Sequence, residues 1–90
     1  MSFDRSKTPT WRPGYRFQYE PAQKGHVLLY PEGMIKLNAS AGEILKRCDG
    51  AATIADITAD LERAFAASGL SDDVIRFVTM AVEKKWLKIS

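Results

Sequence analysis

Residues 28–50, LLYPEGMIKLNASAGEILKRCDG, decide the fold of this chain. Tyr30-Pro31-Glu32-Gly33 suits a type I turn, with Pro at its second position and Gly able to take positive φ. Before it, His26-Val27-Leu28-Leu29-Tyr30 is a mostly apolar run consistent with a central strand; after it, Met34-Ile35-Lys36-Leu37 returns as a third short strand. The period then becomes that of a helix. Ser40-Ala41-Gly42-Glu43 has the form of a capping box, and Ala41, Ile44, Leu45 and Cys48 follow as a buried stripe until Asp49-Gly50 stops it.

Upstream, residues 15–20 alternate aromatic and polar side chains with period two, as a half-buried strand should. Residues 1–14 are polar, contain Pro9, Pro13 and Gly14, and show no periodicity. They are expected to form a flexible N-terminal arm, with Trp11 as its one large anchor. Downstream, Thr53 is expected to cap a second helix with Asp56 in its first turn, and Ile54, Ile57, Leu61 and Phe65 share one face. Ser68-Gly69 breaks it, Ser71-Asp72-Asp73 is expected to cap a third helix, and Trp86-Leu87-Lys88-Ile89 finishes the chain extended. The expectation is an α+β domain over residues 15–90, winged helix-turn-helix-like, with a three-stranded antiparallel β-meander followed by three α-helices.

Ninety residues with almost half of them apolar make one small domain with core material. A net charge of +2, with basic residues scattered along the chain, is too weak for a phosphate-binding footprint. Cys48 is the single cysteine, which rules out an internal disulfide, a thiolate metal site or an iron–sulfur cluster held by one chain. No apolar run approaches membrane-spanning length, and the expected location is the cytoplasm. His26 has no recognisable metal or nucleophile partner, Cys48 reads as a small buried hydrophobe, and no carboxylate pair is identifiable as general acid and base. The expectation is a protein that is not an enzyme and carries no cofactor.

The third helix is apolar over too wide an arc. Val74, Phe77, Val78 and Ala81 form one stripe, and Ile75, Val82 and Trp86 extend it to about half the circumference, against the ~100° that seats a surface helix. Either a small domain wraps this helix more fully, or one flank stays open as a groove. The third strand supplies a possible second wall, since it is a sheet edge whose only charge is Lys36. That edge is open to an added peptide strand, or covered by the arm around Trp11, or paired in a homodimer.

From Val27 onward the chain resembles the pyrroloquinoline quinone biosynthesis protein D family. The resemblance rests on Leu28-Leu29-Tyr30-Pro31-Glu32-Gly33, Leu37-Asn38, Ser40-Ala41, Ile44-Leu45, Cys48-Asp49-Gly50, Thr53-Ile54, Asp56-Ile57 and Asp73-Val74. Gly42 stands where alanine is associated with that family, and Ala51-Ala52 lacks a basic residue often found there. The resemblance implies a precursor-peptide recognition element. Such a chaperone holds a ribosomally made precursor peptide and presents it to a radical S-adenosylmethionine enzyme, which cross-links a Glu and a Tyr of the peptide. It implies strand pairing at Met34, Ile35, Lys36 and Leu37, with Val74, Ile75, Val78, Thr79 and Val82 lining an apolar wall. Lys36 either attracts an acidic leader or only guards the edge against aggregation. The rival readings are a DNA-binding regulator, disfavoured by Asp72-Asp73 at the start of the third helix, and an adaptor that touches only the partner enzyme. Monomer and homodimer both stay open.

Overall fold

Alternation and turn chemistry build the first sheet. In the computed structural model, which describes residues 4–90, β2 (Arg16–Glu20), β3 (Gly25–Tyr30) and β4 (Gly33–Lys36) pair antiparallel in the order β2-β3-β4. Phe17 stands opposite Leu28, and Leu28 opposite Ile35, so these three share the face turned to the core. Three helices follow: α1 (Ala39–Lys46), α2 (Ile54–Ala64) and α3 (Ser71–Glu83). Their buried stripes meet the sheet at Leu28, with Ile44, Leu45, Ile54, Ile57, Leu61, Val74 and Val78 closing the core. The expected α+β class, with a meander and then three helices, is what the chain forms.

Asn38, not Ser40, caps α1. The Leu37 amide still donates to the His26 carbonyl (3.0 Å), so the chain leaves the sheet at residue 38. There an extended Asn accepts the Ala41 amide on its side-chain oxygen at 2.7 Å. The expected box between Ser40 and Glu43 therefore does not form. Thr53 and Asp56 do form a reciprocal box at α2. Ser71 lies inside the first turn of α3 rather than capping it, and its buried hydroxyl has no partner among the described residues.

Part of the expected arm pairs into a second sheet. Residues 1–3 of that arm lie outside the described residues, but β1 (Pro9–Trp11) pairs antiparallel with β5 (Leu87–Ile89). Pro9 is fully buried, the Trp11 indole N–H donates to the Cys48 carbonyl (3.0 Å), and its ring stacks on Phe17 at 5.8 Å. Three-residue strands show no readable period, which hides such a ribbon from pattern analysis. Ahead of it the chain crosses the start of α2, where Lys7 and Arg5 carbonyls accept the Ile54 and Ala55 amides, each at 2.9 Å. These are two of the four donors a helix leaves unpaired at its N-terminus. Deleting residues 1–7 is expected to lower stability by about 1–3 kcal/mol, read as a shifted urea midpoint.

Gly42 has a packing reason. A Cβ built on it would meet His26 Nδ1 at 2.9 Å, because the imidazole lies between α1 and the sheet, stacked on Phe17 at 4.8 Å and edge-on to Tyr19 at 5.4 Å. Alanine would gain up to about 1 kcal/mol of helix propensity but overpack the ring by about 1–3 kcal/mol. Gly42→Ala is expected to destabilise by about 1 kcal/mol in urea unfolding. His26→Ala in the same chain should return most of that loss, and strictly additive effects would refute the contact.

Candidate functional site

Hydrogen-bond alternation decides what the edge of β4 offers. Leu37 donates to His26, so in this register Ile35 and Leu28 also form a bonded pair, and Met34 and Lys36 lie between bonded pairs. The backbone N–H and C=O groups of Met34 and Lys36 therefore point away from β3. Among the described residues no strand pairs with them, since β1 pairs with β5 instead. The side chains of Met34 and Lys36 are exposed, while Ile35 and Leu37 are half-buried and turned toward the helices.

Beside this edge runs a groove of about 780 Å³. One wall is Ile35, Leu37 and the start of α1, and the other is Asp73, Val74, Phe77 and Met80 of α3. Ile44, Leu61 and Trp86 form its base, and Phe65, Ala67 and Leu70 line its far end. Phe65 is 55% exposed, apart from Ile54, Ile57 and Leu61, with which it was expected to share one face and which are buried. The helix ends at Ala64, so Phe65 falls at the cap and turns out of the core stripe.

The groove gathers Ile35, Lys36, Leu37 and Val74 from the expected set, with Met34 next along the same edge. It does not gather the rest of the expected apolar wall. Val78 is fully buried in the core. Ile75 and Thr79 line a shallower depression of about 440 Å³ on the other flank of α3, and Val82 lines neither. Phe77 and Met80 take their place. The core stripe of α3 is Val74, Val78 and Ala81, and its two flanks are both apolar. Periodicity alone gives no reason to prefer one flank, because the choice depends on where β4 stands.

Charge around the groove is mixed. Lys36 is exposed at the edge, while Glu43 and Asp73 lie on the walls. Arg47 binds the Glu43 carboxylate at 2.8 Å and also the Asp60 carboxylate, tying α1 to α2. Its hydrogen bond holds Glu43 below the usual carboxylate range, and bonds from Arg47 and Arg63 do the same for Asp60. Depressed carboxylates stabilise the fold above their ordinary pKa and lose that contribution as pH falls through the folded value. Solvent screening keeps it small.

Burial, and then the charge of Asp49, push the Cys48 thiol up to about 12, so it stays protonated and inert at neutral pH. Asp72 and Asp73 are exposed in the first turn of α3, the end that a DNA-reading helix would present to phosphates. Among the described residues no three His, Cys, Asp or Glu side chains are grouped to hold a metal, and no helix is long and apolar enough to cross a membrane.

The family described as "Coenzyme PQQ synthesis protein D (PqqD)" matches residues 25–87, from β3 into β5. The chain is 60% identical over 90 residues to the PqqA binding protein of Pseudomonas fluorescens strain Pf0-1, covering 99% of each. It is 48% identical over 85 residues to the PqqA binding protein of Stutzerimonas stutzeri strain A1501, covering 93% of this chain and 92% of that one. Among solved structures it is similar to the solution structure of the PqqD part of Methylobacterium extorquens PqqCD, with a TM-score of 0.80 and 27% identity over 97% of this chain and 95% of that one. That protein is described as a functional, stand-alone recognition element for ribosomally synthesised and post-translationally modified peptides.

Proposed function

The chain belongs to the PqqD family, and from that premise we propose that it captures the precursor peptide of pyrroloquinoline quinone and presents it, in the cytoplasm, to a radical S-adenosylmethionine enzyme. The domain itself acts as a binding module and not as a catalyst. One observation carries the reading: the backbone groups of Met34 and Lys36, unpaired among the described residues, lie directly beside an apolar groove.

A peptide segment adds to β4 as a fourth strand, and every second side chain turns into the groove toward Phe77, Leu70 and Phe65. Both walls are needed. Ordering the peptide costs about 1–2 kcal/mol per residue, and each backbone hydrogen bond returns a net of only about 0.5–1.5 kcal/mol. Burial of the apolar side chains at about 25 cal/mol per Å² supplies the surplus. A homodimer paired through β4 would use the same backbone groups, so peptide and self-association compete.

Titrating isotopically labelled protein with precursor peptide is the direct test. Resonance shifts are expected at residues 34–37, 65–70 and 73–80. Shifts that appear only once the enzyme is added would replace direct capture with an adaptor role.

A further inference from the structure

The β1–β5 ribbon, with the segments leading into it, carries Arg5, Lys7, Arg12, Lys84, Lys85 and Lys88. These are six of the chain's thirteen basic side chains, against only Asp4 and Glu83 among the acids. Elsewhere seven bases face nine acids. Lys88 lies in the paired β5, and the other five flank the two strands along the chain. Lys88 stands opposite Thr10, and the Arg12 amide donates to the Trp86 carbonyl at 3.0 Å. Thr8 and Ser90 exchange two bonds of 3.0 Å, and Lys7 and Arg5 continue toward α2. All but Arg12 are exposed.

Among the described residues none of these six forms an ion pair, as is also true of Arg16, Lys24 and Lys36, whereas Lys46, Arg47, Arg63 and Arg76 all do. Arg12 also keeps a buried Nε without an acceptor. The end of α3 fixes where Lys84 and Lys85 stand. The Trp86 amide donates to the Ala81 carbonyl (2.9 Å) and the Lys85 amide to that of Val82 (3.0 Å), which is a Schellman motif. Lys85 occupies its left-handed position at φ 68°, where glycine is the unstrained residue. Ala66 holds the same position at the end of α2, so the motif itself places Lys85 rather than selecting its charge, and it sets the exposed Lys84 and Lys85 just ahead of β5.

None of the six basic residues lines the groove. A domain that keeps a peptide in that groove while docked on an enzyme needs a further surface. We infer that the basic ribbon is the face that docks a carboxylate-rich surface of the partner enzyme, an inference that rests on the presentation reading above. Charge complementarity of this kind steers encounter and fixes orientation. The ribbon offers no exposed aromatic ring to stack on a base or enter a bilayer. Trp11 is tied to Cys48 and Phe17, and Trp86 is buried.

The full chain carrying Lys84→Gln, Lys85→Gly and Lys88→Gln tests this against the radical S-adenosylmethionine enzyme at low and at physiological salt. Enzyme affinity is expected to fall by about tenfold or more at low salt, with a shallower salt dependence. Precursor-peptide affinity should be unchanged. Lys85→Gly alone should raise the melting temperature, which separates lost docking from lost folding. Equal enzyme binding by wild type and variant overturns the ribbon assignment and leaves presentation standing. Failure of the wild type to bind the enzyme under any condition removes both. Charge-dependent binding of the wild type to duplex DNA or to phosphatidylserine vesicles, tighter than to the enzyme, also overturns it.

Discussion

Lys36→Pro is expected to weaken precursor-peptide binding by about 10- to 100-fold while leaving the fold in place. The Lys36 N–H points away from β3, so proline removes no bond from the existing ladder. Its ring favours an extended residue before it, and Ile35 is already extended. In the complex, however, a peptide carbonyl would lose its donor while held against the groove. Leaving such a group unpaired costs about 1–3 kcal/mol, which is the stated range of affinity. Lys36→Gln separates side chain from backbone. It removes the charge, keeps the N–H and should change affinity only a few-fold. If both substitutions weaken binding equally in calorimetry, the ammonium group is responsible and strand addition at this position is wrong.

Phe65→Ser is expected to lower peptide affinity by about tenfold or more at almost no cost to stability. The ring is more than half exposed in the free protein, so the fold gains little from it. Burial of the exposed part, on the order of 100 Å² at ~25 cal/mol per Å², is worth about 2.5 kcal/mol to a complex. The heat-capacity change on binding should become less negative in the variant, as the loss of buried apolar area requires. Ile75→Ala is the contrast. It sits on the opposite flank of α3, half-buried against the core, so it should cost stability without altering peptide affinity. A reversed pattern, with Ile75 mattering and Phe65 silent, would place the peptide on the wrong flank for the groove described here.

Much of this architecture is legible along the chain because it follows from neighbours in sequence. Alternation between Tyr15 and Glu20, the Pro31-Glu32 turn and the Thr53–Asp56 box each depend on a few adjacent residues. The edge status of β4 was legible for the same reason, since a meander of three strands must leave its last strand outermost. The Asn38 cap was missed because Asn38 and Ser40 are both good caps. The choice between them was made by where β4 releases the chain. The β1–β5 ribbon joins residues almost a full chain length apart through strands too short to show a period.

The apolar wall shows the same division most clearly. Three-and-four spacing identified α3 as a helix with more apolar surface than a core needs, and the edge chemistry of residues 34–37 identified the partner wall. Which flank of α3 faces that edge, and hence Phe77 and Met80 in place of Ile75 and Thr79, was decided only by packing in three dimensions. Local propensity and periodicity are properties of a segment, whereas the rotation of a helix against a sheet depends on every buried side chain between them.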